Sequence, residues 1–371
     1  MNSKLNFSRI AFQGSPYDVG YTLGGLVEKS PQLKEINILD KEHETVKLNK
    51  KLEILREFCP NVIDEAKGLS DRLKIPVARL TAFCDDLFLT GACSQIAALP
   101  PITQNSHTLI GRSYEWTPDD EMNLMIIKEE GFPAQVGFSL FLFGRMDGMN
   151  ELGLSVTMSS CEYGQPSYGE GIWFPLILRT ILDNCSNTND AVYLLKQMPV
   201  RCSANILIAD KCGTATIAEI ACYGNDRKIS LRSDKKLLIA TNHYINDDML
   251  KYDNHHGIHS ETRYKAIEHR MKKAAGNITD NTIKMLLSDK MPDGVCCPYY
   301  EDGLGTLRSM IFDVTNQTVN VCFGSPHENL FETISFNEPT GSLLFSVDYT
   351  NEYASDPNEF WKILPPGGVS R

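Results

Sequence analysis

Cys93 is the residue of this chain best placed to do chemistry. It stands in Gly91-Ala92-Cys93-Ser94-Gln95, where helix-like sequence gives way to strand-like sequence. A thiolate is a strong nucleophile, yet an ordinary cysteine is mostly protonated at neutral pH and needs a base or a positive neighbour. Gly111-Arg112-Ser113-Tyr114-Glu115-Trp116 follows on a strand-like stretch and offers both charge signs. As bare residues Arg112 and Glu115 could instead be an ordinary surface ion pair. Three apart on a strand, they fall on opposite faces unless a bulge intervenes. Asn242, in Thr241-Asn242-His243-Tyr244, carries an amide donor that could serve a reacting oxygen or cap a turn. Cys84, in Phe83-Cys84-Asp85-Asp86, is the rival thiol, but no Gly-Arg-x-x-Glu follows it at the same spacing. Cys296-Cys297 reads as a reduced loop pair. His256 and His259, beside His255 and Asp253, could ligate a metal if helical. No cysteine or carboxylate cluster joins them and Gly257 weakens a helix, so the stretch reads as a solvated loop. Cys-x-x-Cys pairs, a P-loop, Gly-x-Gly-x-x-Gly and Gly-x-Ser-x-Gly are all missing from the sequence.

Such residues need a scaffold, and the composition provides one. The chain has 371 residues, 42% hydrophobic and 22% charged, which supports a sizeable core and excludes global disorder. Lys and Arg number 36 against 47 Asp and Glu, a net charge of -11, which argues against nucleic acid and anionic membranes as partners. Eleven cysteines, an odd count without regular spacing, fit a reduced cytoplasmic protein better than a disulfide scaffold. No apolar run of signal-peptide length precedes Gly14 and Pro16. The most apolar window, Val136 to Phe143, is strand-sized and far short of a ~20-residue spanning helix.

Periodicity predicts helices over 17–26, 48–58 and 62–73, the last two stopped by Pro60 and Pro76. From Cys93 onward short β-rich runs take over, at 94–98, 108–116, 124–128, 135–143 and 154–159, with 144–150 as a turn. One helical stretch covers 174–198. Strands follow at 204–209, 214–221, 228–231 and 237–242, then helices at 260–275 and 280–288. Strands at 307–314, 318–323 and 330–336 close the chain. This order predicts an α+β layered domain with no break between domains in its β-rich part.

The ordered landmarks carry a resemblance. They are the Cys93 segment, the Arg112 strand, Asp147-Gly148-Met149-Asn150-Glu151-Leu152-Gly153-Leu154, the run Ala204 to Asp210, the Asn242 stretch, Ser260-Glu261-Thr262-Arg263-Tyr264, Thr306 to Asp313 and Gly324-Ser325-Pro326. In this order they resemble N-terminal-nucleophile (Ntn) hydrolases related to acyl-CoA:6-aminopenicillanic acid acyltransferase, and more distantly choloylglycine hydrolases and acid ceramidases. Gly14-Ser15-Pro16-Tyr17-Asp18-Val19-Gly20-Tyr21 is similar to the acyltransferase leader. The resemblance implies a four-layer αββα sandwich, two antiparallel sheets face to face with helices outside. It implies a helical pro-segment, 1–92, and a catalytic part, 93–371, split by autocatalytic cleavage of the Ala92–Cys93 bond.

It also implies roles. The Cys93 α-amine, freed by the cut, is the general base, since an α-amine has a pKa near 8 and is partly unprotonated at neutral pH. Arg112 stands beside the nucleophile and its amine. Glu115, aspartate in most relatives, accepts from the amine. Asn242 donates to the oxyanion, and Arg263 braces the site. Ser159 or Ser160 falls where the bile-acid enzymes have asparagine, which argues against a bile-acid hydrolase. The expected reaction is hydrolysis of a linear amide, or transfer of its acyl group, on a small-molecule substrate without metal or cofactor. Self-association stays open. Two other readings stay open as well: a papain-like enzyme pairing Cys93 with His107 or His243 without cleavage, and a non-catalytic protein of the same fold.

Overall fold

The computed structural model describes residues 3–83, 92–118, 122–139, 143–161, 171–223, 226–253 and 256–364. The chain opens with strand β1 (Ser3–Gly14), followed by helices α1 (Pro16–Lys29), α2 (Pro31–Asn37), α3 (Thr45–Phe58) and α4 (Pro60–Leu73). Six strands come next: β2 (Ala92–Ala98), β3 (Leu109–Trp116), β4 (Met122–Glu129), β5 (Gln135–Ser139), β6 (Asp147–Asn150) and β7 (Leu154–Ser160). Helices α5 (Phe174–Asn184) and α6 (Thr188–Gln197) lead to β8 (Ala204–Asp210), β9 (Ala215–Tyr223), β10 (Asp226–Ser233) and β11 (Leu237–Ala240). Then follow β12 (His256–Gly257), α7 (Ile258–Lys273), α8 (Asp280–Ser288), β13 (Pro298–Tyr299), β14 (Leu304–Asp313), β15 (Thr318–Phe323) and β16 (Glu332–Ile334). Strand β17 (Gly341–Tyr349), the one-turn α9 (Pro357–Phe360) and β18 (Ile363–Leu364) end the described chain.

Two sheets hold the site between them. The larger runs β10-β9-β8-β7-β6-β5-β4-β1-β17, and the smaller β11-β2-β3-β14-β15-β16 with β13 on β14. They meet where β2 touches β7 and β8. Helices α5 and α6 cover the larger sheet at β6 to β9, and α7 and α8 cover the smaller at β2, β3, β11 and β14. Helix, sheet, sheet and helix make the expected αββα sandwich. The larger sheet departs from the expected antiparallel pattern in one pair: β1 runs parallel to β4.

Residue alternation builds the layers. On β2, Cys93, Gln95 and Ala97 face the other sheet, while Ile96 and Ala98 join Leu109, Ile311, Ile267, Met271 and Leu286 under α7 and α8. Apolar side chains fill the space between the sheets, from Ala97, Ile110 and Met310 to Phe138 and Leu207. Before the site, α1 crosses α4 at a glycine pair. A Cβ on Gly20 would lie 1.8 Å from the Glu65 carbonyl oxygen, and one on Gly68 2.1 Å from that of Tyr17. Only hydrogen lets these backbones approach so closely. The glycines that weaken α1 in isolation are therefore its contact surface. Ser15 starts α1 with a capping box to Asp18.

Three differences from the sequence reading have physical causes. Residues 147–150 are strand β6 and not a turn; four residues are too few to show a period. The single helix expected over 174–198 is two, because Asn187 breaks it and caps α6 through Asp190 N–H. Strands β1 and β17 were not anticipated. The first is bonded on both sides, to β4 and β17, and buries polar Ser8 among apolar residues, which blurs its alternation. The second is an edge strand with most side chains exposed. Among the described residues no helix is long and apolar enough to cross a membrane.

Candidate active site

Cys93 is the second residue of β2 and is 2% exposed. The β2–β3 register sets Cys93 opposite Tyr114 and Gln95 opposite Arg112, so these four side chains share the face between the sheets. Ala92 pairs with Glu115 and Ser94 with Ser113 on the other face, toward α7. Arg112 and Glu115 thus lie on opposite sides of one regular strand. They flank the Ala92–Cys93 bond from two sides.

Both ends of Cys93 are held. Its backbone N–H donates to Asn242 Oδ1 at 2.9 Å. Its carbonyl oxygen accepts from Arg263 Nη1 at 2.5 Å. Arg263, on α7, also donates to Ser94 Oγ and to Asn242 Oδ1, each at 2.9 Å, and lies 3.6 Å from Glu115 Oε2. Asn242 has its own supports: its backbone N–H donates to Ser260 Oγ at 2.8 Å and its Nδ2 to the Ser160 carbonyl at 2.9 Å. The Asn242 amide therefore serves Ser160 and the Cys93 nitrogen. Ser159, beside it, accepts from Gln95 Nε2 at 2.9 Å. Asn205 on β8 donates to the carbonyls of Thr241 and His243, fixing the loop that carries Asn242.

The electrostatics follow from burial. Among the described residues three arginines (Arg112, Arg263, Arg308) and two carboxylates (Glu115, Asp147) meet around Cys93, all with fully buried side chains. With both carboxylates ionised, the group keeps one surplus positive charge, which a thiolate or an oxyanion would neutralise. Burial pushes the Cys93 thiol up; Arg112 pulls it back, Glu115 adds to the rise, and Arg263 opposes it. Burial prevails, and the thiol is held protonated at neutral pH. Burial also raises Glu115, against the pull of Arg263, a hydrogen bond from Ser113 Oγ, and the charges of Arg112 and Arg308.

Two residues here lay unassigned inside the sequence landmarks. Asp147 on β6 and Arg308 on β14 form an ion pair at 2.9 Å in the space between the sheets. Their signal was present only as part of longer motifs. The histidine reading needs correction. His256 and His259 are each 3% exposed and not solvated, because β18 pairs with β12 and the C-terminal turn covers them. His256 bridges Asp253 and Glu261, at 3.0 and 3.2 Å, and His259 stacks on Phe360. His107 is paired with Asp313 at 2.9 Å, near the far end of β3 from Cys93. His243 turns Nδ1 to Ser260 Oγ at 2.8 Å, and burial, with the charges of His256 and Arg263, pushes its pKa down to about 3. Among the described residues neither histidine bonds Cys93. Gly91, Cys84 and His255 lie outside the described residues.

The family model described as acyl-coenzyme A:6-aminopenicillanic acid acyl-transferase matches residues 102–328. No curated protein matches by sequence. Similar solved structures include a variant of conjugated bile acid hydrolase from Clostridium perfringens, at 11% identity over 71% of this chain and 99% of that one, TM-score 0.47. Penicillin V acylase from Agrobacterium tumefaciens is 17% identical over 74% of this chain and 98% of its own, TM-score 0.42. A Caenorhabditis elegans ortholog of N-acylethanolamine-hydrolyzing acid amidase is 13% identical over 60% and 93%, TM-score 0.43.

Proposed function

Because the chain belongs to the acyl-coenzyme A:6-aminopenicillanic acid acyl-transferase family, a group of Ntn-type amide hydrolases and acyl transferases, we propose that it is a linear amidase whose nucleophile is Cys93. The observation that carries this reading is the hold on Cys93 at both ends: its amide nitrogen on Asn242, its carbonyl on Arg263.

The chain first cuts itself. Cys93 Sγ attacks the Ala92 carbonyl carbon. The C–N bond to Cys93 breaks, the nitrogen leaves as the α-amine, and the proton lost by the thiol ends on that amine. Water then hydrolyses the thioester, giving a carboxylate at Ala92 and a free thiol at Cys93. The new amine starts at the position whose N–H Asn242 now accepts, with Glu115 alongside where Ala92 was paired. In catalysis this amine takes the thiol proton and later passes it to the departing amine. Arg112 supplies fixed positive charge at the sulfur, and Asn242 Nδ2 turns from Ser160 to the oxyanion. Hydrolysis asks for no second binding site and is the reaction we assign, on a small-molecule N-acyl substrate. The papain-like alternative is left without a partner, since neither His107 nor His243 bonds Cys93.

Intact mass tests the reading. Wild type should give two fragments divided before Cys93, and Cys93→Ala one uncut chain. The split protein should release amine from a panel of N-acyl amines. Asn242→Ala should slow release by about 10²–10³-fold, the usual effect of losing an oxyanion donor. A wild type that stays whole and is inactive on the panel would overturn it.

A further inference from the structure

The Asp147–Arg308 pair is not used by the reaction just described, and its construction is unusual. Strand β14 pairs with β3 in two registers: Thr306 is opposite Glu115, but Arg308 is opposite Tyr114. Leu307 is the extra residue of a β-bulge between them. In a regular strand residues two apart share a face. Here the bulge sends Thr306 to the Glu115 side and turns Arg308 to the side of Tyr114 and Cys93, an example of a bulge re-aiming a side chain.

Once turned inward, Arg308 is fixed from several directions. Its guanidinium lies 4.2 Å from the Tyr114 ring centre and 4.3 Å from that of Phe138, one ring from each sheet. Its Nη2 donates to Asp147 Oδ2 at 2.9 Å. The other Asp147 oxygen, Oδ1, accepts from the Phe138 backbone N–H at 3.2 Å. Arg112 Nε lies 3.4 Å from Asp147 Oδ2, an ion-pair contact without a hydrogen bond, and its Nη1 donates to the Ser113 carbonyl at 2.7 Å. Its Nη2 meets no oxygen acceptor among the described residues, and the anion its charge would serve is the Cys93 sulfur. Arg112 therefore faces the nucleophile with an orientation set at its back by a carboxylate that Arg308 holds.

We infer that Arg308 is a positioning residue, acting across the sheet interface through Asp147 to aim Arg112 at Cys93. This rests on the reading of Cys93 as nucleophile. Among the described residues the charged and titratable groups around Cys93 are Arg112, Tyr114 and Glu115 on β3, Arg263 on α7, Asp147 on β6 and Arg308 on β14.

The test is the pH profile of Cys93 alkylation by iodoacetamide in the processed protein, read on the peptide that begins at Cys93. Three variants separate aim from field. Arg308→Lys keeps the charge but loses the fork and the ring stacking. Arg308→Met loses both. Asp147→Asn, nearly isosteric, removes a negative charge. Positioning predicts that all three raise the alkylation midpoint by about one pH unit, with labelling about tenfold slower at neutral pH. A pure field effect predicts a wild-type profile for Arg308→Lys and a lowered midpoint for Asp147→Asn. Either of those results overturns the inference. An Arg308 variant that fails to fold leaves the Asp147→Asn midpoint as the deciding measurement. A wild type that is neither cut nor labelled at Cys93 overturns the reading of the nucleophile, and the inference with it.

Discussion

At the scale of single residues, the site is governed by burial. Cys93, Glu115 and His243 are ordinary ionisable side chains, and each is shifted against its charged form by loss of water. His243 gives the clearest consequence. Its folded pKa is about 3, against about 6.5 in an unfolded chain. Between those values the unfolded chain binds a proton that the folded chain refuses. Stability from this group is therefore complete above about pH 6.5 and is lost as pH falls toward 3. At about pH 5 the loss is on the order of 2 kcal/mol. In His243→Asn, whose amide can replace the Nδ1 bond to Ser260, the Tm should fall less between about pH 7.5 and about pH 5 than in wild type. Equal falls would assign the acid sensitivity to another group. The same scale explains what sequence could not tell about the histidines. Gly257 and the missing ligand cluster argue correctly against a helical metal site at 255–259, yet burial under β18 is a contact between residues about a hundred positions apart.

At the scale of elements, two devices position the site: a glycine crossing and a bulge. The α1–α4 crossing locks the segment before Cys93 together internally, while β1 and α4 join it to the sandwich. Gly20→Ala would drive a methyl group to 1.8 Å from the Glu65 carbonyl, backbone that cannot swing away. We expect a loss of about 2 kcal/mol or more, seen as a lower urea midpoint at unchanged m-value. An unchanged midpoint would mean that the helices part without cost. Much of the secondary structure was legible. Strand β15 and helix α8 fall where periodicity placed them, because each has a clear apolar period and sharp flanking stops. The bulge at Leu307 was not legible. The run from Thr306 to Phe312 reads as one continuous strand, and only pairing with β3 shows the extra residue.

At the scale of the whole molecule, the segment before Cys93 is part of the sandwich. Strand β1 lies inside the larger sheet, bonded to β4 on one side and β17 on the other. A buried ionic network ties α4 to the remainder. Arg179 on α5 donates to Glu65 and Glu129, each at 2.8 Å, and to Asp183 at 2.9 Å, while Asn61 donates to Glu129 and Asp183 at 2.8 Å. Removing one side would leave these charges buried without partners, which costs several kcal/mol. A chain cut before Cys93 should thus run as one particle in native size-exclusion chromatography and separate into two only in denaturant. Release of the smaller fragment under native conditions would refute this.

The sequence by itself determined the layered α+β class and the place where the chain changes texture, and it offered Cys93, Arg112, Glu115, Asn242 and Arg263 as a candidate site without Asp147 and Arg308. Those are local properties, carried by apolar periods, turn residues and ordered motifs. The tertiary structure decided which faces meet. Alternation already parted Arg112 from Glu115, but only the β2–β3 register put Cys93 on the Arg112 side, and only packing brought Arg263 to Glu115. It also joined Asp147 to Arg308 across two sheets. The physical reason is that a buried ion pair is specified by the packing that excludes water from it, and packing is a property of the assembled layers.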